Sequence, residues 1–174
     1  MKKALITTLS FLIFTLLFCG VAFAETATFN AQGRTVVPVF YTHFSKSDSF
    51  TYSFISISNI TSEAVQCKVT ILDHDGNDQT HRGYIASGQY GGNSVPKTYP
   101  GNGEFEIPAY GTRLFCIADT SQKYSIYGQA IIEWKSTDPR TSKALMGTMR
   151  YYGQSGSTDR TRSGSIAINN GLPF

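Results

Sequence analysis

Hydrophobic and polar residues alternate most cleanly between residues 50 and 75, FTYSFISISNITSEAVQCKVTILDHD. Ile55 and Ile57 alternate with Ser56 and Ser58, and Val65, Cys67, Val69 and Ile71 alternate with Gln66, Lys68 and Thr70. A period of two sustained over this length marks strands with one face in a core. The two runs are separated by Asn59-Ile60-Thr61-Ser62. Asn tolerates left-handed backbone angles and hydroxyls bond nearby amides, so this is turn chemistry. The pattern predicts two strands folded back on each other, with Cys67 pointing inward and a second turn at Asp75-Gly76-Asn77.

The same reading extends along the chain. Residues 35–41 form a β-rich run in which Pro38 cannot donate a ladder hydrogen bond, which places the strand at a sheet edge or bends it. Residues 43–49 read as a polar connector. Short strands are expected at 82–86 and 104–107, and 112–118, apolar on both faces, as a buried strand carrying Cys116. Over 125–135, Ile126, Gly128, Ala130, Ile132 and Trp134 share one face. Pro139 fixes a turn within 136–142. Residues 143–152 are a strand, because Gly147 and the Tyr151-Tyr152 pair weigh against a short helix. A loop over 153–164 and a last short strand at 165–169 follow.

That count, about seven to nine short strands with no amphipathic helix, points to an antiparallel sandwich. In its recurrence of strand, Asn-containing turn and strand, the chain resembles immunoglobulin-like modules of secreted bacterial proteins. It departs from true immunoglobulin domains in that Trp134 follows both Cys67 and Cys116, where that family places its Trp between the cysteines. The expected fold is therefore all-β, an antiparallel immunoglobulin-like β-sandwich of about seven to nine strands. The resemblance implies an architecture and no activity.

The first 24 residues are set apart by their own pattern. Lys2 and Lys3 precede an apolar stretch from Ala4 to Cys19, and Ala22-Phe23-Ala24 supplies small residues where a signal peptidase cuts. The stretch approaches the roughly 20 residues of a membrane span, but the basic start and the A-x-A end predict a cleaved secretory signal. Phe18 occupies the position before Cys19 where a lipobox needs a small residue. The expectation is a single domain over 25–174, periplasmic or secreted, with no membrane span after cleavage. It has 150 residues, enough for one core.

Export changes how the charge is read. The chain has 15 Lys and Arg against 12 Asp and Glu, and without Lys2 and Lys3 the balance is 13 against 12, a net of +1. A phosphate-tracking surface needs clustered cations, so nucleic acid is not an expected partner. Arg150, Arg160 and Arg162 offer only a local basic group. Export also bears on the cysteines, since an even pair in an oxidising compartment predicts a disulfide between Cys67 and Cys116. It would close a loop of about 50 residues, contributing about 4 kcal/mol in the chain-entropy model.

The chemistry-bearing residues form no recognisable catalytic set. G-x-S-x-G, H-E-x-x-H, C-x-x-C and P-loop motifs are missing from the sequence. His43, His74 and His81 all fall in or beside expected turns. Glu104, Glu106 and Glu133 are carboxylates of the kind any exposed strand carries, and no residue is assigned as catalytic, which leaves an enzyme with an unrecognised site as an alternative. Asp73, Asp75 and Asn77 have the alternate oxygen ligands that open an EF-hand loop, but its sixth-position Gly falls at Asp78 and its twelfth-position Glu at Tyr84. An Asp-Gly turn needs no ion, so no cofactor is expected, with calcium at these three residues as the alternative. Zinc on His74 and His81 lacks a third ligand.

Recognition is the remaining chemistry. Residues 81–111 are rich in Gly, Tyr, Asn, Ser and Pro, the composition of binding loops, in which Tyr provides a large amphipathic contact at low entropy cost. Tyr84, Tyr90, Tyr99 and Tyr110, with Tyr151 and Tyr152, are the candidate binding residues for a protein or glycan partner. The competing reading has these rings capping the ends of the core. A third reading, an eight-stranded outer-membrane barrel, draws on the chain length and the terminal Phe174. Against it, Asn169 to Pro173 interrupts the strand that would close such a barrel.

Overall fold

Asn59 and the residues after it carry the chain across the core, and this crossing sets the architecture. The structure, a computed structural model, describes residues 28–88, 96–156 and 161–174, so the expected signal segment, Tyr90 and Arg160 lie outside the described residues. Ten strands are present among the described residues: β1 Gly33–Lys46, β2 Ser49–Asn59, β3 Val65–Asp73, β4 Tyr84–Ser87, β5 Lys97–Thr98, β6 Glu104–Ile107, β7 Thr112–Cys116, β8 Tyr124–Lys135, β9 Leu145–Ser155 and β10 Thr161–Ala167. Helical structure among the described residues is limited to two short 3-10 turns, Thr80–Arg82 and Ile168–Gly171. The protein is all-β and antiparallel, and ten strands exceed the seven to nine expected because β5 is only two residues long and lies in a loop-like composition.

The predicted hairpin between the two central runs does not form. β2 pairs with β1, β7 and β9, whereas β3 pairs with β6 and β8. Alternation identifies which side chains face inward and leaves the neighbouring strand open. Here both runs face one core from opposite sides, and residues 60–64 connect them over its edge. Asn59 is 2% exposed at this corner. Its amide nitrogen donates to the carbonyls of Glu63, Ile107 and Pro108, and its Oδ1 accepts from the Thr61 amide and hydroxyl.

The strands form one curled sheet in the order β5-β4-β7-β2-β1-β8-β3-β6, with β9 along the other side of β2 and β10 outside β9. β1 is the bend of the curl. It pairs with β8 from Gly33 to Phe44 and turns onto β2 at its far end. Its register with β8 slips between Val37 and Phe40, around Pro38, which is the bend that the missing amide predicts. Residues 43–46, read as connector, continue this strand, and His43 stands in it rather than in a turn.

Inward positions of both halves form one apolar cluster that includes Phe40, Ile55, Ile57, Cys67, Val69, Phe115, Ile132 and Trp134. Phe174 belongs to the same cluster, tied to Leu145 by backbone hydrogen bonds. The terminal aromatic that suggested a membrane barrel therefore caps this core. Among the described residues β5 and β6 stand at the two ends of an open strand order. No helix among those residues is long and apolar enough to cross a membrane.

The disulfide expectation is corrected by the same geometry. Cys67 and Cys116 are free and buried. Cys67 lies in the main core with Phe115, while Cys116 belongs to a second cluster with Tyr84, Ala86, Tyr52, Phe54 and Leu114. Successive strand residues point to opposite faces, so Phe115 in the core sends its neighbour Cys116 to the outer face, away from Cys67. The run 112–118 is apolar on both faces because it separates two clusters.

Candidate functional site

The outer face of the β9-β2-β7-β4 half carries a run of half-buried and buried aromatic rings, with Tyr152 exposed at its margin. Directly paired residues share a face, and the rows Arg150–Phe54–Cys116–Tyr84 and Tyr152–Tyr52 run across it. Phe50 stacks on Tyr52 at 4.9 Å between centroids and meets Tyr152 at 5.8 Å. The Arg150 guanidinium lies 5.4 Å from the Phe54 ring centroid. Tyr52, Phe50 and Phe54 were not among the candidates, although their phase, opposite to Ile55 and Ile57, already put three aromatics on the outward side of β2.

The candidate tyrosines divide among several places. Tyr84 and Tyr99 are neighbours, with ring centroids 5.9 Å apart; Tyr84 is 8% and Tyr99 66% exposed. Tyr152 lies on the same sheet face. Tyr151 points to the opposite one, where it lines a smaller cavity of about 330 Å³ with Val39, Tyr41 and Arg162. Tyr110, 72% exposed, sits in the turn before β7, where its amide donates to the Thr61 carbonyl. The five candidates among the described residues therefore form no single cluster. Arg150 and Arg162 likewise fall on opposite faces of the β9-β10 pair, because they are paired with positions of opposite phase, Phe54 and Gly153.

An open cleft of about 590 Å³ lies beside Tyr84 and Tyr99. Its other walls are His81 and Arg82 from the 3-10 turn, Lys97 from β5, and the 118–122 turn after β7. The sequence folds this way because Asp78 accepts from the Thr80 amide, and the Thr80 hydroxyl accepts from the Ile71 amide, which pins the turn to β3. The Lys97 ammonium stands 4.6 Å from the centroid of Tyr84, a cation–π distance. Burial, with the nearby Cys116 thiol, holds the Tyr84 phenol well above its ordinary range.

Charges in the cleft are unevenly satisfied. The Asp119 carboxylate accepts from the Ser121 hydroxyl, the Ser121 amide and the Gln122 amide nitrogen, and the Ser121 hydroxyl foremost holds its pKa below the usual carboxylate value. Arg82 packs with its guanidinium carbon 6.0 Å from the Tyr124 ring centroid. Its buried Nε and Nη1 have no hydrogen-bond partner among the described residues. Sequence reasoning missed Arg82 and Lys97, because single cations in a Tyr/Gly-rich stretch leave no spacing signal.

The metal alternative meets a different arrangement. Asp73 Oδ1 accepts from the amides of Asp75 and Asn77, and Oδ2 from the Gln79 side chain. The Asn77 amide foremost lowers the Asp73 pKa. The carboxylate thus organises its own turn, and no group of three or more His, Cys, Asp or Glu side chains is placed to hold a metal among the described residues. Glu104 pairs with Lys68 at 3.6 Å and Glu106 accepts from Gln66, both across the β3-β6 ladder.

Fold and cleft together define an all-β protein with an aromatic and cationic recess on its outer sheet face. Scanned against protein-family models, curated proteins and solved structures, the chain matches none.

Proposed function

We infer that this chain is an exported, non-catalytic binding module that holds a saccharide-type ligand in the cleft between Tyr84, Tyr99 and the 118–122 turn. The observation that carries the reading is the cleft itself: an exposed ring, Tyr99, leans on a buried one, Tyr84, beside cationic groups that converge on the same recess. Its volume falls within the roughly 300–1,000 Å³ of small-molecule sites. Ring faces with a few polar groups at their edges suit the alternating apolar and hydroxylated surfaces of sugars. Export rests on the signal pattern of residues 1–24, and an immunoglobulin-like sandwich is the finer architecture proposed for the curled sheet. Retention of the purified protein on a panel of immobilised polysaccharides tests the reading. Binding that disappears with Tyr99→Ala, at an unchanged unfolding midpoint, is expected; retention unaffected by that change overturns it.

A structural role in a surface assembly has one observation of its own. β10 pairs only with β9 among the described residues and is exposed at six of its seven positions. Such an edge is a template for strand addition. Under this reading the protein oligomerises in a concentration-dependent way and Ser165→Pro abolishes it; a strictly monomeric protein by light scattering rules it out.

A further inference from the structure

The cations in the cleft say more about the ligand than the rings do. Arg82 and Lys97 line it together with His81, and Asp119 is the one carboxylate among its described lining residues. Asp119 is already engaged by Ser121 and Gln122. No carboxylate lies within ion-pair distance of Arg82 among the described residues. A guanidinium held against a ring with two buried nitrogens, Nε and Nη1, unpaired is costly, because a desolvated charged donor loses its water without replacement. The Asp119 charge is felt by Arg82 without a direct ion pair, so an anion entering the recess adds the direct partner that the fold omits, and guanidinium is the side chain best matched to a planar carboxylate.

We propose that the cleft takes an acidic saccharide of the uronate type, its ring lying on Tyr99 and its carboxylate held by Arg82, with Lys97 adding positive charge at the mouth. This deepens the saccharide reading above and rests on it. Ring and charge divide the work: Tyr99 and Tyr84 give affinity for the sugar body, and Arg82 discriminates acid from neutral sugar. Nucleic acid is disfavoured as the source of the anion, because its recognition needs a track of cations and the chain outside its first 24 residues is within one charge of neutral.

Isothermal titration of the full protein with oligomers of galacturonate, glucuronate and mannuronate, each beside its methyl ester, tests the proposal. The esters keep the ring and remove only the negative charge. At least one acid oligomer is expected to bind about tenfold or more tightly than its ester, a difference that Arg82→Gln reduces to about one while ester binding persists. Tyr99→Ala is expected to weaken acid and ester alike. Because Arg82 is partly buried, Lys97→Gln at an exposed position is a second variant, expected to narrow the acid preference about two- to threefold with an unchanged unfolding midpoint. Equal binding of acid and ester overturns the uronate inference and leaves the saccharide reading standing. Binding of neither overturns the uronate inference, and the saccharide reading is then decided by the polysaccharide panel. Competition by inorganic phosphate as effective as by the uronate also overturns the inference, since the recess would then be a simple anion site.

Discussion

Asn59 shows how much a single side chain decides. Asn59-Ile60-Thr61 matches a glycosylation sequon, yet its amide nitrogen is buried and donates to three carbonyls from two separate segments. That nitrogen fastens the crossing between the two halves of the sheet to the Pro108 turn. Removing it leaves buried acceptors without donors, at about 1–3 kcal/mol for the groups stranded. Asn59→Ala is expected to lower unfolding stability by about 2–3 kcal/mol in urea with an unchanged m value. Asn59→Asp keeps the acceptor, loses the donor and buries a charge, and is expected to do no better. A loss under about 0.5 kcal/mol for either would show the corner to be held by other contacts.

The cysteines make the second residue-scale case. Burial pushes the Cys116 thiol up to about 12 and raises Cys67 further still, so both are protonated and shielded in the folded state. Iodoacetamide at pH 8 is expected to label neither in the native protein and both after denaturation without reductant, as read by peptide mapping. Recovery of a Cys67–Cys116 cross-linked peptide would contradict the placement of the two residues on opposite faces.

At the scale of elements, strand patterns were legible and strand partners were not. The alternation over 125–135 placed Ile126, Ala130, Ile132 and Trp134 on the inner face, and β8 buries all four. Gly128 shares that phase for a reason no pattern carries. It pairs with Asp73, and a Cβ there would collide with the Leu72 carbonyl oxygen. Gly128→Ala is expected to force β3 away from β8 and cost about 1–3 kcal/mol, in the range of overpacking. Faster amide exchange confined to β3 and β8 would localise the effect, and wild-type exchange there would refute the close approach. The candidate site was half legible for a similar reason. Tyr84 and Tyr99 stood out by composition, but Arg82 reaches the same cleft only because Asp78 and Thr80 pin a 3-10 turn to β3. Cys116 was read as a core cysteine because apolar residues on both faces say "buried" without saying in which cluster.

For the whole molecule, the two apolar clusters have a shared sensitivity to alkali. Burial foremost pushes Tyr52 up to about 12 and raises Tyr84, in the outer cluster, while Cys67 sits in the main core. Each folded pKa lies above the unfolded value, 9.0 for the thiols and 10.0 for the phenols. The unfolded chain therefore sheds protons that the native protein retains. The stabilisation is intact below those unfolded values and is lost as pH rises through the folded ones. The melting temperature is expected to show no loss from these groups below pH 9 and to fall toward pH 12. Tyr52→Phe is expected to make the slope between pH 10 and 12 shallower. Parallel slopes for the variant and the wild type would remove Tyr52 from the alkaline transition.

By itself the sequence determined which residues face inward along the long strands and which Asn, Gly and Pro positions favour a turn or a bend. These are local matters, set by the period of a pleated strand and by the backbone tolerances of Asn, Gly and Pro. Only the tertiary structure decided that β2 and β3 lie in opposite halves of one curled sheet, that Cys67 and Cys116 face different clusters, and that Arg82, Lys97 and Tyr99 share a recess. Pairing and convergence depend on which segments meet across space, and alternation along one strand has the same form whichever neighbour it meets.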